Sequence, residues 1–222
     1  MSFFVTGTDT GVGKTLIGCA LLYAFAQQGR RVVGMKPVAS GCDKDGQNHD
    51  VKQLQAASNV PADYDQINTY GLLDPIAPHI AAQNAGVHIE LASIVTAYRA
   101  LASRADVVIV EGIGGFAVPL NDSQGIPDLA MELGLPVILV VGIRLGCLNH
   151  ALLTASAIEA CGLKCAGWVA NVLEPDMLAA QASVVALKKR LNAPLIGVVP
   201  WQILPDAKSS APKLQLELLG QA

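Results

Sequence analysis

The first fifteen residues, MSFFVTGTDTGVGKT, constrain this chain more than any other stretch. Phe3, Phe4 and Val5 form an apolar, β-favouring run that breaks into Gly and Thr and ends in Gly13-Lys14-Thr15. A helix-periodic segment follows, with Ile17, Ala20, Leu21, Ala24 and Phe25 at helical spacing and Gly29 placed as a C-terminal cap. Strand, glycine loop, Lys-Thr and helix in that order predict a phosphate-cradling loop. Gly11 and Gly13 permit positive φ, so that backbone N–H groups turn toward phosphate oxygens. The helix N-terminus adds free donors and the positive end of its dipole. Lys14 is expected to reach the β- and γ-phosphates, and Thr15 to offer its hydroxyl to Mg2+. Five residues separate Gly7 from Gly13, one more than in the usual motif, but the Gly-Lys-Thr ending and the flanking strand and helix agree.

Composition indicates what surrounds this loop. Hydrophobic residues make up 52% of the 222 positions and charged residues 15%. That balance fits a sheet buried on both faces, or a subunit that hides further surface against a partner. The longest apolar stretch, residues 135–143, is about half of what a membrane span needs. It also contains Pro136 and Gly142, and reads as a buried strand. Net charge is −3, and the densest basic run, Lys188-Lys189-Arg190, reads as a solvated helix end. Neither a nucleic acid nor a membrane is expected as partner. The five cysteines are scattered without CxxC spacing, so reduced packing cysteines in a cytoplasmic protein are expected, with no zinc site. The N-terminus enters the first strand directly, which leaves no leader segment in the reading.

Strands are expected at 3–6, 32–36, 107–111, 137–141, 167–171 and 195–199. Helices are expected at about 14–28, 50–57, 89–103, 126–132, 148–161 and 176–191. The inner strands are continuous Val/Ile/Leu runs, as in a parallel sheet covered on both faces. The expected fold is a single α/β domain over residues 1–222, a doubly wound, mainly parallel sheet with helices on both sides.

In such a sheet ligands bind beyond the carboxyl ends of the strands, and reactive residues stand there. Lys36 closes the second strand before Pro37-Val38-Ala39-Ser40-Gly41, where its charge could stabilise a transferring phosphoryl group. Glu111 ends the apolar run 107–110 in the Walker-B layout, where an acid helps to hold Mg2+. Thr15 and Glu111 are natural oxygen ligands, and Asp50 is a third candidate. Asp50 has a rival reading, because Asn48 and Asp50 also suit a helix N-cap and first turn. After the fourth strand, residues 142–150 lead into another helix N-terminus that could take a carboxylate or phosphate. His150 and Cys147 there have no partner pattern that makes either a catalyst.

With these residues assembled, the chain resembles the dethiobiotin synthases. The matching stretches are FVTGTDTGVGKT (4–15), MKPVASG (35–41), the Asn48-His49-Asp50 region, DPIAPHIAA (74–82), VEGIGG (110–115), residues 136–154, GWVANV (167–172) and IGVVPW (196–201). They run in order over most of the chain. The resemblance implies an ATP- and Mg2+-dependent ligase of the P-loop superfamily. It would act on 7,8-diaminopelargonic acid and carbon dioxide or bicarbonate, through a carbamate and a carbamic-phosphoric anhydride, in biotin synthesis. It implies Lys14 and Lys36 as charge partners of the reaction, and Thr15, Asp50 and Glu111 as Mg2+ ligands. The implied nucleotide contacts are Gly11, Val12, Gly13, Lys14, Thr15 and Leu16, with Asp50, Glu111, Gly112, Ile113 and Gly114. On the base side they are Asn171, Val172, Pro200, Trp201 and Gln202. Thr10 and Ser40 are implied beside the diamine and carbamate. Gly146, Cys147, Leu148 and Asn149 are implied at the substrate carboxylate, supplied by the second subunit of a homodimer.

Gly11 stands where the family often carries Glu, which removes a carboxylate near the phosphates and any catalytic role at that position. A second class is a partition or positioning ATPase with the same loop. Its signature Lys, five residues before the loop Lys, is replaced here by Asp9, and no basic amphipathic tail is present. Multidomain amidotransferase-like ligases need a Cys/His glutaminase domain for which the chain has no room.

Overall fold

In β1 (Ser2–Gly7), Phe3 and Val5 enter one apolar core and Phe4 the other, so both faces of the strand are buried. The same alternation holds in β5 (Val107–Glu111): Val107 and Ile109 pack on one side, Val108 and Val110 on the other. A strand buried on both faces needs helices above and below it, which is what βαβ crossovers supply. The structure, a computed structural model, describes residues 1–220.

From β1 the chain runs through α1 (Lys14–Gln27), β2 (Val32–Met35), β3 (Val38–Ser40), α2 (His49–Ala57), α3 (Tyr64–Ile67), β4 (Tyr70–Leu72), α4 (Pro78–Asn84) and α5 (Leu91–Ala102). After β5 come α6 (Ile126–Leu133), β6 (Val137–Ile143), α7 (Cys147–Ala160), β7 (Cys165–Val172), α8 (Ala180–Lys188), β8 (Leu195–Val199) and α9 (Ala207–Ser210). Two 3-10 turns, Ala211–Lys213 and Leu216–Gly220, follow. The main sheet has the order β2-β5-β1-β6-β7-β8, with every pairing parallel. From β1 the chain crosses to the edge strand β2, comes back with β5 between β2 and β1, and then passes to the opposite side of β1 with β6. The strand order thus switches direction around β1, and a crevice opens beyond its carboxyl end.

The six expected strands are all present, and the α/β class is as the sequence predicts. In α1 the residues Ile17, Ala20, Leu21, Ala24 and Phe25 are all buried, and Gly29 follows the helix at φ 77°. The expected helix at 176–191 is shorter, opening after Ala179 at φ 61°. The expected helix at 89–103 begins at Leu91, after a buried Ile89. Sequence reading did not anticipate a second, two-stranded parallel sheet of β3 and β4, paired Val38↔Tyr70 to Ser40↔Leu72. Three-residue strands show no readable period, so only the tertiary pairing reveals them. The short helices α3, α4 and α9 escape detection for the same reason.

Candidate active site

The phosphate loop lies between β1 and α1. Gly13 stands at φ 89°, and a Cβ there would sit 2.3 Å from the Asn171 Nδ2, so only glycine fits. α1 starts at Lys14 with no side-chain cap, which leaves its first N–H groups directed at the crevice. The Lys14 ammonium donates to the Asp9 carbonyl at 2.9 Å, and Asp9 Oδ1 accepts from the Thr10 N–H at 2.7 Å. Burial, the largest influence, pulls the Lys14 pKa down to about 8; Glu111 opposes this and Lys36 adds to it.

Lys36 follows β2. Its N–H donates to the Ile67 carbonyl at 2.9 Å, and its carbonyl accepts from Asn68 Nδ2 at 2.7 Å. With the backbone fixed on both sides, the residue is only 5% exposed. The Lys36 Nζ lies 2.7 Å from Asp50 Oδ2 and 2.5 Å from Glu111 Oε1. Burial alone would lower its pKa, but the two carboxylates outweigh it and the pKa is raised. Asp50 is shifted the other way: burial pushes it up, and Lys36 more than reverses this. Asp50 stands in the first turn of α2, as the helix reading expects, and its carboxylate also reaches Lys36. Asn48 is the N-cap of α2, accepting from the Asp50 N–H at 2.9 Å, while the Asp50 carboxylate turns to Lys36.

Glu111 is 1% exposed at the end of β5. Its Oε1 also accepts the Thr15 hydroxyl at 2.9 Å, and its buried Oε2 has no hydrogen-bond partner. A hydroxyl and two carboxylates, one of them with an unpartnered buried oxygen, fit Mg2+, which prefers oxygen and completes its shell with phosphate and water. Among the described residues no three His, Cys, Asp or Glu side chains cluster as a metal cage.

Thr10, Gly11, Gly13, Lys14, Thr15, Lys36, Ser40, Asp50, Glu111, Ile113 and Gly114 line one cavity of ≈ 760 Å³. The buried Ser40 Oγ has no hydrogen-bond partner there. Other expected residues support this cavity from behind. Val12 is buried beneath the loop, Leu16 packs on the core, and Gly112 lies against the Phe4 ring. Asn171, at the end of β7, donates from Nδ2 to the Val12 carbonyl at 2.9 Å, so its amide nitrogen braces the loop. Val172 closes the same strand. Pro200 and Trp201 are exposed after β8, and Gln202 is tied to Ser210 and Asp206. Gly146, Leu148 and Asn149 are exposed at the start of α7, Cys147 is buried there, and none of the four lines the cavity.

Sequence reasoning gave no role to the wall formed by Pro75, Ile76, Ala77, Pro78 and Val118. The proline-bounded DPIAP run, already among the family-like stretches, was its one signal. It also missed the Asp9–Arg144 ion pair, which joins positions 135 residues apart and has no local pattern.

Comparison with known proteins agrees with this geometry. The AAA domain family matches residues 1–209. A protein of Nitrosospira multiformis named ATP-dependent dethiobiotin synthetase BioD is 52% identical over 99% of this chain and 97% of its own length. The protein of that name from Aromatoleum aromaticum is also 52% identical, over 97% of each chain. The MinD cell division protein of Aquifex aeolicus superposes with a TM-score of 0.60 over 100% of this chain and 98% of its own. At 15% identity that likeness shows the fold alone. The expected resemblance therefore holds along nearly the whole length, and the chain belongs to the ATP-dependent dethiobiotin synthetase family.

Proposed function

We propose that the cavity closes a cyclic urea, forming dethiobiotin from 7,8-diaminopelargonic acid, carbon dioxide and ATP in biotin synthesis. One amine of the substrate attacks carbon dioxide, forming a carbamate and releasing a proton. A carbamate oxygen attacks the γ-phosphorus and displaces ADP, giving a carbamic-phosphoric anhydride. The second amine attacks the carbonyl carbon, phosphate leaves, and the ring is closed as a second proton departs. The observation that carries this reading is a buried Lys36 held between Asp50 and Glu111, in a cavity shared with Lys14 and the α1 N-terminus.

Lys14 and the loop amides bind the phosphates, and Lys36 offsets charge at the carbamate and the transferring phosphoryl group. Thr15, Asp50 and Glu111 hold Mg2+, which neutralises phosphate charge when bound. Thr10 and the unpartnered Ser40 hydroxyl orient the diamine and carbamate, and the 75–78 wall with Val118 packs on the hydrocarbon. Asn171, Val172, Pro200, Trp201 and Gln202 face the base. The substrate carboxylate is taken by Gly146–Asn149 of a second subunit, a reading supported by the exposure of Gly146, Leu148 and Asn149 outside their own cavity. Residues 1–222 act as one ligase domain in the cytoplasm. Among the described residues no helix is long and apolar enough to cross a membrane.

The test is a mass-spectrometric assay of purified protein with MgATP, bicarbonate and the diamine, omitting each component in turn. Dethiobiotin only in the complete mixture, with matching phosphate release, is the expected result. Phosphate release indifferent to the diamine overturns the proposed substrate.

A further inference from the structure

We infer that Arg144 is a positioning residue that couples occupancy of the phosphate loop to binding at the Gly146–Asn149 segment, acting through Asp9. The inference rests on the proposed role of that segment at the substrate carboxylate.

Two segments distant in sequence meet at this point. Arg144 follows β6 and directly precedes the 145–149 stretch, exposed except at Cys147; its carbonyl accepts from the Cys147 N–H at 3.0 Å, forming the turn that opens α7. Its guanidinium Nη2 lies 2.5 Å from Asp9 Oδ2. Asp9 in turn holds the Thr10 N–H on Oδ1 and the Lys14 ammonium on its carbonyl. One aspartate therefore fixes a cavity-lining threonine, the phosphate-binding lysine and the arginine at the root of the second segment. The backbone beneath is already tied, since the Thr8 N–H donates to the Val140 carbonyl at 3.0 Å. The Gly142 N–H also donates to Thr8 Oγ1 at 3.4 Å, and the Arg144–Asp9 pair is the charged link above these ties. When Lys14 leaves the Asp9 carbonyl for a phosphate, Asp9 and its guanidinium partner must readjust, and the turn at 144–147 readjusts with them. Binding at one segment then favours one arrangement of the other, and linkage makes the effect reciprocal. In a homodimer that passes a carboxylate site to the neighbouring subunit, the pair links one protomer's nucleotide to its partner's substrate.

Both side chains are partly exposed, so the coupling is modest. Calorimetry should show diaminopelargonic acid binding about fivefold tighter in the presence of a Mg2+-bound β,γ-imido ATP analogue than in its absence. Arg144→Gln and Asp9→Asn should each bring that ratio close to one, the double variant should lose no more than either single one, and Arg144→Lys should restore part of it. A purely structural role would weaken binding with and without the nucleotide alike and leave the ratio unchanged. A wild-type ratio of one, or an unchanged ratio in Arg144→Gln, overturns the inference while dethiobiotin formation by the wild type still stands. If the wild type makes no dethiobiotin, the proposed function fails first and the inference falls with it.

Discussion

The phosphate loop and the end of β2 each deliver a buried lysine to the same cavity, yet the two are held in opposite ways. Lys14 has a backbone carbonyl for a partner, and burial pulls its pKa down to about 8. Lys36 has two carboxylates within 2.7 Å, and its pKa is raised. The loop keeps its charge under-compensated, and in the proposed reaction an arriving polyphosphate would supply the missing counter-ion. The β2 end keeps its charge paired with two carboxylates, so in the proposed reaction the ammonium would stand in place before any ligand binds. One lysine is placed to bind, the other to stay put.

The sharpest way to break this contrast is the same substitution at both positions. Lys36→Met should have the largest effect. Turnover should fall by on the order of 10²-fold or more, as when a charge partner of a transition state is removed. Stability at neutral pH should also fall by about 3 kcal/mol, because the buried Glu111 loses its counter-charge. Denaturant unfolding beside steady-state kinetics checks both, and unchanged stability would show that the pair is not the support the geometry implies.

Lys14→Met should also lose turnover by about 10²-fold, but with stability moving the other way. The native Lys14 value, about 8, lies below the unfolded value of 10.5. Below pH 8 the folded protein therefore bears the full penalty of holding a buried proton. Between pH 8 and 10.5 the unfolded chain binds more protons, so wild-type stability from this group rises with pH. Lys14→Met should be more stable than wild type by about 3 kcal/mol at pH 7, with the difference vanishing above pH 10.5. A constant difference across a pH series of melting curves would remove the desolvation argument.

The smallest expected effect sharpens the loop side alone. Asn171→Ala removes the amide that braces the Val12 carbonyl and should raise the KM for ATP about fivefold with little change in kcat. An unchanged KM would mean that the loop holds its shape without Asn171.

Much of this was legible before any coordinates. The strand–loop–Lys-Thr–helix order, the apolar runs ending in Lys36 and Glu111, and the alternation of strand and helix are local patterns, and local patterns survive in one dimension. They determined the α/β class, the phosphate loop and which strand ends carry charge. The residue-by-residue likeness of KPVASG and LGCLNH to one family added the chemistry that spacing alone could not name.

Other features depended on the tertiary structure. Asp50 read equally well as a helix-opening residue or a site acid, and only the fold shows Asn48 capping α2 while Asp50 turns to Lys36. The β3–β4 sheet, the wall at 75–78 and the Asp9–Arg144 pair join segments whose separation in sequence carries no period and no motif. The opposite pKa shifts of Lys14 and Lys36 are likewise tertiary. A sequence states that a lysine is present, but burial and the distance to carboxylates set what its charge costs, and both exist only once the chain has folded.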